Sequence, residues 1–482
     1  MTHHEIHLLS NVSFKIEISN QYLIKIGAIA DELHVEAHAV GGYVRDKILG
    51  KEVSDIDIVV VGDGIAFAHE VGRRLGQPNI VEYGQFGTAM LPIDGGKIEF
   101  VTAREESYSA DSRKPTVTAA TLESDLSRRD FTVNALAACL NVDRFGVVTD
   151  PFNGMADMEA KLLRTPLDPE KTFDDDPLRM MRAVRFAAKL EFVIDPAAFK
   201  AITVMADRIK IVSKERVSDE FLKILQAAKP SIGLLLLQQS GLSKLVFPEL
   251  DEMVGVEQRK DYHHKDVFLH TLKVIDNICQ NTDKLWLRFA ALAHDIAKPR
   301  TKAFKDGIGW TFHGHEDLGA RMMKSIFRRM RFPMDELPYV EKLVRLHLRP
   351  MVLVSEEITD SAVRRLLFEA GPDIDDLMIL CRADITSQNP QRVSRYLRNY
   401  DLVMEKMKEV EENDQLRNWQ PPVKGDEIMQ VCGIGPSKVV GVLKTFIEEA
   451  ILEGIIPNEH DAALAYLLEH KDRILKEDQH QN

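Results

Sequence analysis

Residues 39–62 read AVGGYVRDKILGKEVSDIDIVVVG, and the segment DIDIVVV within them sets the reading of everything around it. Side chains alternate across a strand, so Asp55 and Asp57 share one face while Ile56, Ile58 and Val60 share the other and point to a core. Upstream, Gly41 and Gly42 leave unhindered backbone amides that can approach a triphosphate, and Arg45 and Asp46 fall at the start of a helix. A paired carboxylate on a strand face also occurs as a solvated strand edge. Beside a glycine turn it has the composition of a two-metal cradle, able to activate a hydroxyl and to neutralise a departing pyrophosphate.

Two further stretches carry the same theme: SRRDFTVNALA at 127–137 and DDDPLRMMRAVRF at 174–186. Arg128 and Arg129 can clamp a triphosphate and ribose through charge-assisted hydrogen bonds, Asp130 can cap the apolar helix expected over FTVNALAACL, and Asn134 lies one turn on. Asp175, Asp176 and Arg179 share a helix face at spacings of three and four, with Arg182 and Arg185 extending it. That face is either a salt-bridged surface or a base-reading edge. Cytosine and adenine both offer an amino donor beside a ring-nitrogen acceptor, so one carboxylate and one guanidinium satisfy either, whereas uracil and guanine leave buried partners unpaired.

In this order the motifs resemble the class II tRNA nucleotidyltransferase and bacterial poly(A) polymerase family, over the first half of the chain. The resemblance implies CCA addition to tRNA 3′ ends from CTP and ATP, with Mg2+ held by Asp55 and Asp57 and the base selected by Asp176 and Arg179. Asp175 stands where the family has Glu. Glu99, on a strand expected to pair with the Asp55–Asp57 strand, completes the carboxylate set or simply pairs with Lys97; Thr102 and Arg104 match the family's strand ending. The polar, proline-containing stretch 108–125 reads as a long mobile loop, a linker or, as in similar enzymes, an element that reshapes the site between additions.

Farther along, His270, the pair His294-Asp295 and Asp384 resemble the HD phosphohydrolase superfamily, with His315 and His347 at plausible further ligand positions and His263, His264 and His313 as weaker ones. Imidazoles and carboxylates together suit a divalent transition metal, its identity open, or a mixed two-metal site, that polarises phosphate and activates water. HD modules fused to similar enzymes cleave cyclic phosphates or nucleotides at RNA ends, or are structural.

The chain has 482 residues, 45% of them hydrophobic, enough for several cores, and a net charge of −13 that disfavours a nucleic-acid-coating protein. Basic residues nevertheless gather at Arg164, Lys210, Lys214 and Arg216 beside the arginines above, a local track for RNA. Four cysteines without C-x-x-C spacing, a polar beginning and apolar runs too short to span a bilayer point to a cytoplasmic protein with no membrane partner. Arg216 and Glu220 can pair at i+4 on the helix of 211–227, and Gly433 and Gly435 precede a tail helix as an RNA contact or a helix–turn–helix joint.

The expected fold is α+β: a small mixed-sheet nucleotidyltransferase head (1–150), then an all-α neck and body (151–255), an HD domain (256–390) and a helical tRNA-binding tail (391–482). Within the family a poly(A) polymerase or a CC-only or A-only enzyme stands as the alternative. From another class, the HD site would be the main activity and the head an RNA-binding module.

Overall fold

Strands β1 (Glu36–Val40) and β2 (Asp55–Val61) form the antiparallel centre of a seven-stranded mixed sheet. The computed structural model describes residues 14–53, 55–83, 87–109, 112–257, 266–355, 359–387, 389–414 and 422–479. The remaining strands of the sheet are β3 (Val81–Tyr83), β4 (Thr88–Ile93), β5 (Gly96–Thr102), β8 (Ala137–Cys139) and β9 (Val148–Thr149), in the order β3-β4-β5-β2-β1-β8-β9. Only β2 and β5 run parallel within it. As the alternation required, Ile56 and Ile58 are fully buried, each contributing about 1.5–3 kcal/mol relative to exposure.

Helices α1 (Gln21–Glu32), α2 (Gly42–Ile48) and α3 (Gly64–Leu75) accompany the sheet; Asn20 caps α1 and Asp63 caps α3 through their side chains. Much of the stretch 108–125 expected as a mobile loop is instead a strand, β7 (Ser112–Ala119), paired antiparallel with β6 (Arg104–Ser109), consistent with its β-branched run Thr116-Val117-Thr118. After α4 (Leu122–Ser127), the expected helix over FTVNALAACL is a short 3-10 turn, Thr132–Asn134, followed by β8. Residues 131–140 are all buried, and a doubly buried strand shows no periodicity to separate it from a helix. Register with β1, pairing Val40 with Ala137 and His38 with Cys139, decides the outcome.

The helical continuation comprises α5 (Gly154–Glu159), α6 (Pro169–Asp175), α7 (Leu178–Leu190), α8 (Pro196–Met205) and α9 (Lys214–Leu225), with a two-residue parallel pair, β10 (Leu162–Leu163) and β11 (Val193–Ile194). Asp175, Asp176 and Arg179 therefore do not share one helix face. Pro177 bars the α conformation to the residue before it, and Asp176 sits extended at φ −141° and ψ 100° between α6 and α7.

The chain divides into two compact units, residues 1–227 with 232–246, and residues 228–231 with 247–482. The second contains helices Val267–Cys279, Leu285–Ala293, His315–Met330, Leu337–Leu346 and Ile374–Ala383, and Trp286, Phe289, Phe327 and Phe332 form an aromatic cluster with ring centroids 5.3–5.8 Å apart. A small hairpin, β12 (Ala303–Lys305) and β13 (Gly309–Thr311), interrupts the helices. A long helix, Pro390–Asp414, precedes the tail helices Gly425–Cys432, Lys438–Leu452 and His460–Gln479, whose core holds Ile428, Leu443, Ile447 and Leu467. Gly433, at φ 64°, ends the first of these in the left-handed conformation.

Candidate nucleotide and metal sites

In the sheet, Asp57 lies directly opposite Glu99 and Asp55 opposite Lys97, so three carboxylates share one face of β2 and β5. Burial raises the Asp57 carboxyl above its usual range, and Arg129 partly offsets this. Glu99 accepts from Lys97 at 2.5 Å. Among the described residues, the ligand atoms of Asp55, Asp57 and Glu99 are not drawn together as tightly as those of the histidine clusters below. Carboxylate oxygens on one face of the sheet fit a hard divalent cation.

Gly41 adopts φ 67°, and a Cβ there would come within 2.8 Å of Arg129 Nη1. The guanidinium thus lies against bare backbone that only glycine provides. Arg129 Nη2 donates to Asp125 at 3.1 Å, its Nε is buried without a hydrogen-bond partner, and Arg128 donates to Asp125 at 2.6 Å. Asp125, fully buried on α4, orients both arginines of the motif; the sequence reading missed it, although its spacing of three and four from Arg128 and Arg129 is a helical pairing signal.

Arg45, which is buried, donates to both oxygens of Asp46 and, at 2.6 Å, to Asn134 Oδ1; Asn134 Nδ2 donates to Asp130 Oδ1 at 2.9 Å; and Arg182 donates twice to Asp130 Oδ2, at 2.8 and 2.5 Å. One continuous network therefore joins residues from all three sequence motifs. Asp130 does not cap a helix: it accepts from its neighbour's Phe131 amide while anchoring Arg182. The guanidinium groups of Arg45, Arg182 and Arg185 pack 5.1, 5.3 and 4.0 Å from the ring of Phe186. Arg185 is tied to Glu220, at 2.5 Å, so Glu220 is not the partner of Arg216.

Arg216 instead meets Asp176 Oδ2 at 3.2 Å, while Asp176 Oδ1 accepts from the Leu178 amide. Arg179 donates to the carbonyl oxygens of Thr172 and Arg128, at 3.2 and 2.6 Å, which fixes the guanidinium between α6 and the end of α4. Asp175 ends α6. In the expected basic track, Arg164 pairs with Asp157 and Lys210 with Asp207. Thr102 accepts from the Gly64 amide, a packing role; Arg104 opens β6. Gly42 begins α2.

In the second unit the six expected ligands converge in two trios, His270 with His294 and Asp384, and Asp295 with His315 and His347, each with ligand atoms within 4.8 Å of one another. Apart from His270, they sit at helix ends rather than along helices. One local device repeats three times: the Nδ1 of His294, His315 and His347 each donates to the carbonyl three residues back, of Ala291, Phe312 and Val344, at 2.7 Å. This orients each ring and aims its Nε2 inward, as the other ring nitrogen of a metal-binding imidazole is held by a carbonyl. All three Nε2 atoms are buried without a hydrogen-bond partner, which a divalent cation would supply. His270 Nδ1 is held by Thr386 Oγ1 at 2.9 Å.

Burial lowers the His294 imidazole, but Asp295 and Asp384 overcome it and raise it to about 10, a proton that a bound cation would displace; His347, also buried and beside the His294 charge, falls to about 3. Lys298 Nζ lies 2.7 Å from Asp295 Oδ2, a cation that the sequence reading passed over. His313 is exposed and belongs to neither trio, and His263 and His264 fall outside the described residues.

Residues 37–164 match the family described as Poly A polymerase head domain, residues 191–254 the probable RNA and SrmB-binding site of polymerase A, and residues 266–389 the HD domain. The chain is 31% identical over 438 residues to an A-adding tRNA nucleotidyltransferase of Deinococcus radiodurans, covering 88% of this chain and 94% of that one. It is 36% identical over 312 residues to a multifunctional CCA protein of Burkholderia pseudomallei, covering 62% and 71%. Among solved structures, it resembles a tRNA nucleotidyltransferase complexed with a primer tRNA and an incoming ATP analogue (25% identity, TM-score 0.58, covering 80% of this chain and 99% of that one). It shares its fold with the Bacillus stearothermophilus CCA-adding enzyme in complex with CTP (22% identity, TM-score 0.64, covering 95% and 98%).

Proposed function

The chain belongs to the class II tRNA nucleotidyltransferase and poly(A) polymerase family, in the branch that carries an HD domain, and from that premise we propose that it completes tRNA 3′ ends with C, C and A. The observation that carries the reading is the network Asp46–Arg45–Asn134–Asp130–Arg182, which links three motifs, while Arg129 of the second acts on Asp57.

The 3′ hydroxyl oxygen of the tRNA bonds to the α-phosphorus of CTP or ATP as the bond to the bridging oxygen breaks and pyrophosphate leaves. Asp55 and Asp57 would hold magnesium, with Glu99 a further ligand once released from Lys97, and the ion would supply activation of that hydroxyl and charge neutralisation for the leaving group. Arg128 and Arg129, braced by Asp125, hold the triphosphate over the Gly41–Gly42 backbone. Asp176 and Arg179 read the amino donor and ring-nitrogen acceptor that cytosine and adenine share. Arg182 and Arg185 brace that wall through Asp130 and Glu220.

The domain roles follow: head through about residue 150, nucleotide- and RNA-binding neck and body to about 255, HD domain to about 390, and a tRNA-binding tail. In the HD domain the two trios would hold divalent transition metal, which would supply activated water for hydrolysis of a phosphoester. Four free cysteines suit a reducing cytoplasm. No helix among the described residues is long and apolar enough to cross a membrane.

A second reading, addition of the terminal A alone, is favoured by the nearly full-length similarity to the A-adding relative. Both are tested by offering tRNA without CCA, and tRNA ending in CC, with magnesium and each nucleoside triphosphate singly and together, then sequencing product ends. Stopping at CCA on the first substrate supports the proposal. Extension of CC ends alone establishes the second reading, and long A tails reject both.

A further inference from the structure

We propose that the exposed face of β5, β4 and β3 seats the 3′ end of the tRNA, with Tyr83 the positioning residue on which a base of that end stacks. This rests on the reading of Asp55 and Asp57 as the nucleotidyl-transfer centre.

Residues paired across a sheet share a face, so one row runs from Asp57 through Glu99 and Met90 to Val81, and the next from Val59 through Val101 and Thr88 to Tyr83. The opposite face is the closed one. Ile56, Leu91, Ile98 and Phe100 are buried there, and the Phe67 ring of α3 meets Phe100 edge to face at 5.8 Å. Glu82, between Val81 and Tyr83, reaches that closed side, where it lies 2.6 Å from His69 of α3. Val81 and Tyr83 therefore point to the carboxylate side, where they are 43% and 48% exposed, and half-buried Met90 and Val101 connect them to the row of Glu99.

The reaction decides what lies on this surface. The glycine turn that follows β1, with Arg129 against it, holds the triphosphate on the β1 side of β2. An in-line displacement brings the attacking oxygen from the side opposite the departing pyrophosphate, so the nucleoside that carries the 3′ hydroxyl lies on the β5 side. Three interstrand steps of about 4.8 Å separate β2 from β3, roughly 14 Å in all. Bases stacked about 3.4 Å apart cover that distance with about four nucleotides, so Tyr83 meets the acceptor end a few nucleotides behind the reacting one.

The chemistry of the surface suits this occupant. During CCA addition the primer ends successively in its unextended nucleotide, in C and in CC, so its seat has to hold different bases in the same place. A ring and apolar side chains do so because every base has a π-face, whereas hydrogen-bonding groups would favour one base. Selection stays with Asp176 and Arg179 at the incoming nucleotide.

The test uses the full chain with magnesium, CTP and ATP. Tyr83→Ala should raise KM for tRNA lacking CCA about tenfold while KM for CTP changes by less than about twofold, and Tyr83→Phe should restore most of the tRNA affinity. In the parent protein, nitration of Tyr83 by tetranitromethane, mapped by peptide mass spectrometry, should be suppressed by tRNA ending in CC. Neither CTP nor tRNA from which several further 3′ nucleotides have been removed should protect it. An unaltered KM for tRNA in Tyr83→Ala, or equal protection by the shortened tRNA, overturns the proposal. Protection that rises with protein concentration alone overturns it too and assigns the face to a second copy of the chain. Protection by the 3′ end without any nucleotide incorporation would reject the transfer reading and keep the seat; incorporation with Tyr83 equally reactive throughout would do the reverse.

Discussion

Asp130 and Arg182, 52 residues apart in sequence, meet through two hydrogen bonds to one carboxylate oxygen and join the second motif to the third. Asp130 is 6% exposed, whereas a third of Arg182 reaches solvent. Burial pushes the Asp130 carboxyl up, but Arg182 and Asn134 outweigh it and hold the group at about 2. Because its pKa in the folded protein is depressed, its stabilisation is present above the ordinary carboxylate range and is lost as pH falls toward 2.

Asp130→Asn should therefore destabilise the first unit by about 3 kcal/mol at pH 7, since it leaves Arg182 facing a neutral partner. In urea unfolding of the intact chain, the gap between parent and variant in the transition of that unit should narrow as pH falls from 4 toward 2. A gap constant across that window would show that Asp130 acts through shape, not charge.

What could be read in the sequence was whatever depends on neighbours along the chain. The alternation of Asp55, Ile56, Asp57 and Ile58 needs only strand geometry, and the structure keeps it. The break at Asp176 was also legible, because Pro177 follows it, yet the i+3 spacing to Arg179 read as a continuous helix. Long-range pairing was not legible. Nothing near Glu220 signals Arg185, and a helical i+4 partner at Arg216 competed for it. Likewise β8 owes its strand form to hydrogen bonds with β1, about a hundred residues away, while its own buried run carries no period. The six HD-type ligands were identified as a set, but their arrangement as two trios at helix ends required the fold.

Replacing both Asp55 and Asp57 by Ala should lower nucleotide incorporation by at least about 10³-fold, the loss of several kcal/mol of charge stabilisation. Glu99→Gln should cost less, about tenfold, because Glu99 already shares its charge with Lys97. Phosphoester hydrolysis should be equal in all three proteins. Single-turnover incorporation with radiolabelled CTP measures this, and retention of activity in the double variant removes the carboxylates from the reaction.

Asp176→Asn introduces an amide that can donate as well as accept, so it can pair with O4 of uracil where the carboxylate cannot, while N3–H still faces Arg179. The ratio of kcat/KM for CTP to that for UTP should fall about tenfold or more, as expected when an unpaired buried group is relieved. Arg216→Ala removes the half-exposed partner of Asp176, a pair worth under about 1 kcal/mol, and should alter that ratio by no more than about fivefold. A ratio unmoved in Asp176→Asn would take Asp176 out of base selection.

His315→Ala should separate the two metal trios. The variant keeps His270, His294 and Asp384 intact while taking one of three ligands from the trio of Asp295 and His347. Metal analysis after dialysis against a divalent transition metal should find two ions per parent chain and about one in the variant. The three buried, unpartnered Nε2 atoms make the metal-stripped protein less stable than the loaded one. At free metal about a hundredfold above the dissociation constant, a single site adds about 2.7 kcal/mol, so removing the ion with a chelator should lower the thermal midpoint of the parent more than that of the variant. Equal metal content in the two proteins would mean that the Asp295–His315–His347 trio is a hydrogen-bonded core and that any cation is held by the other three residues.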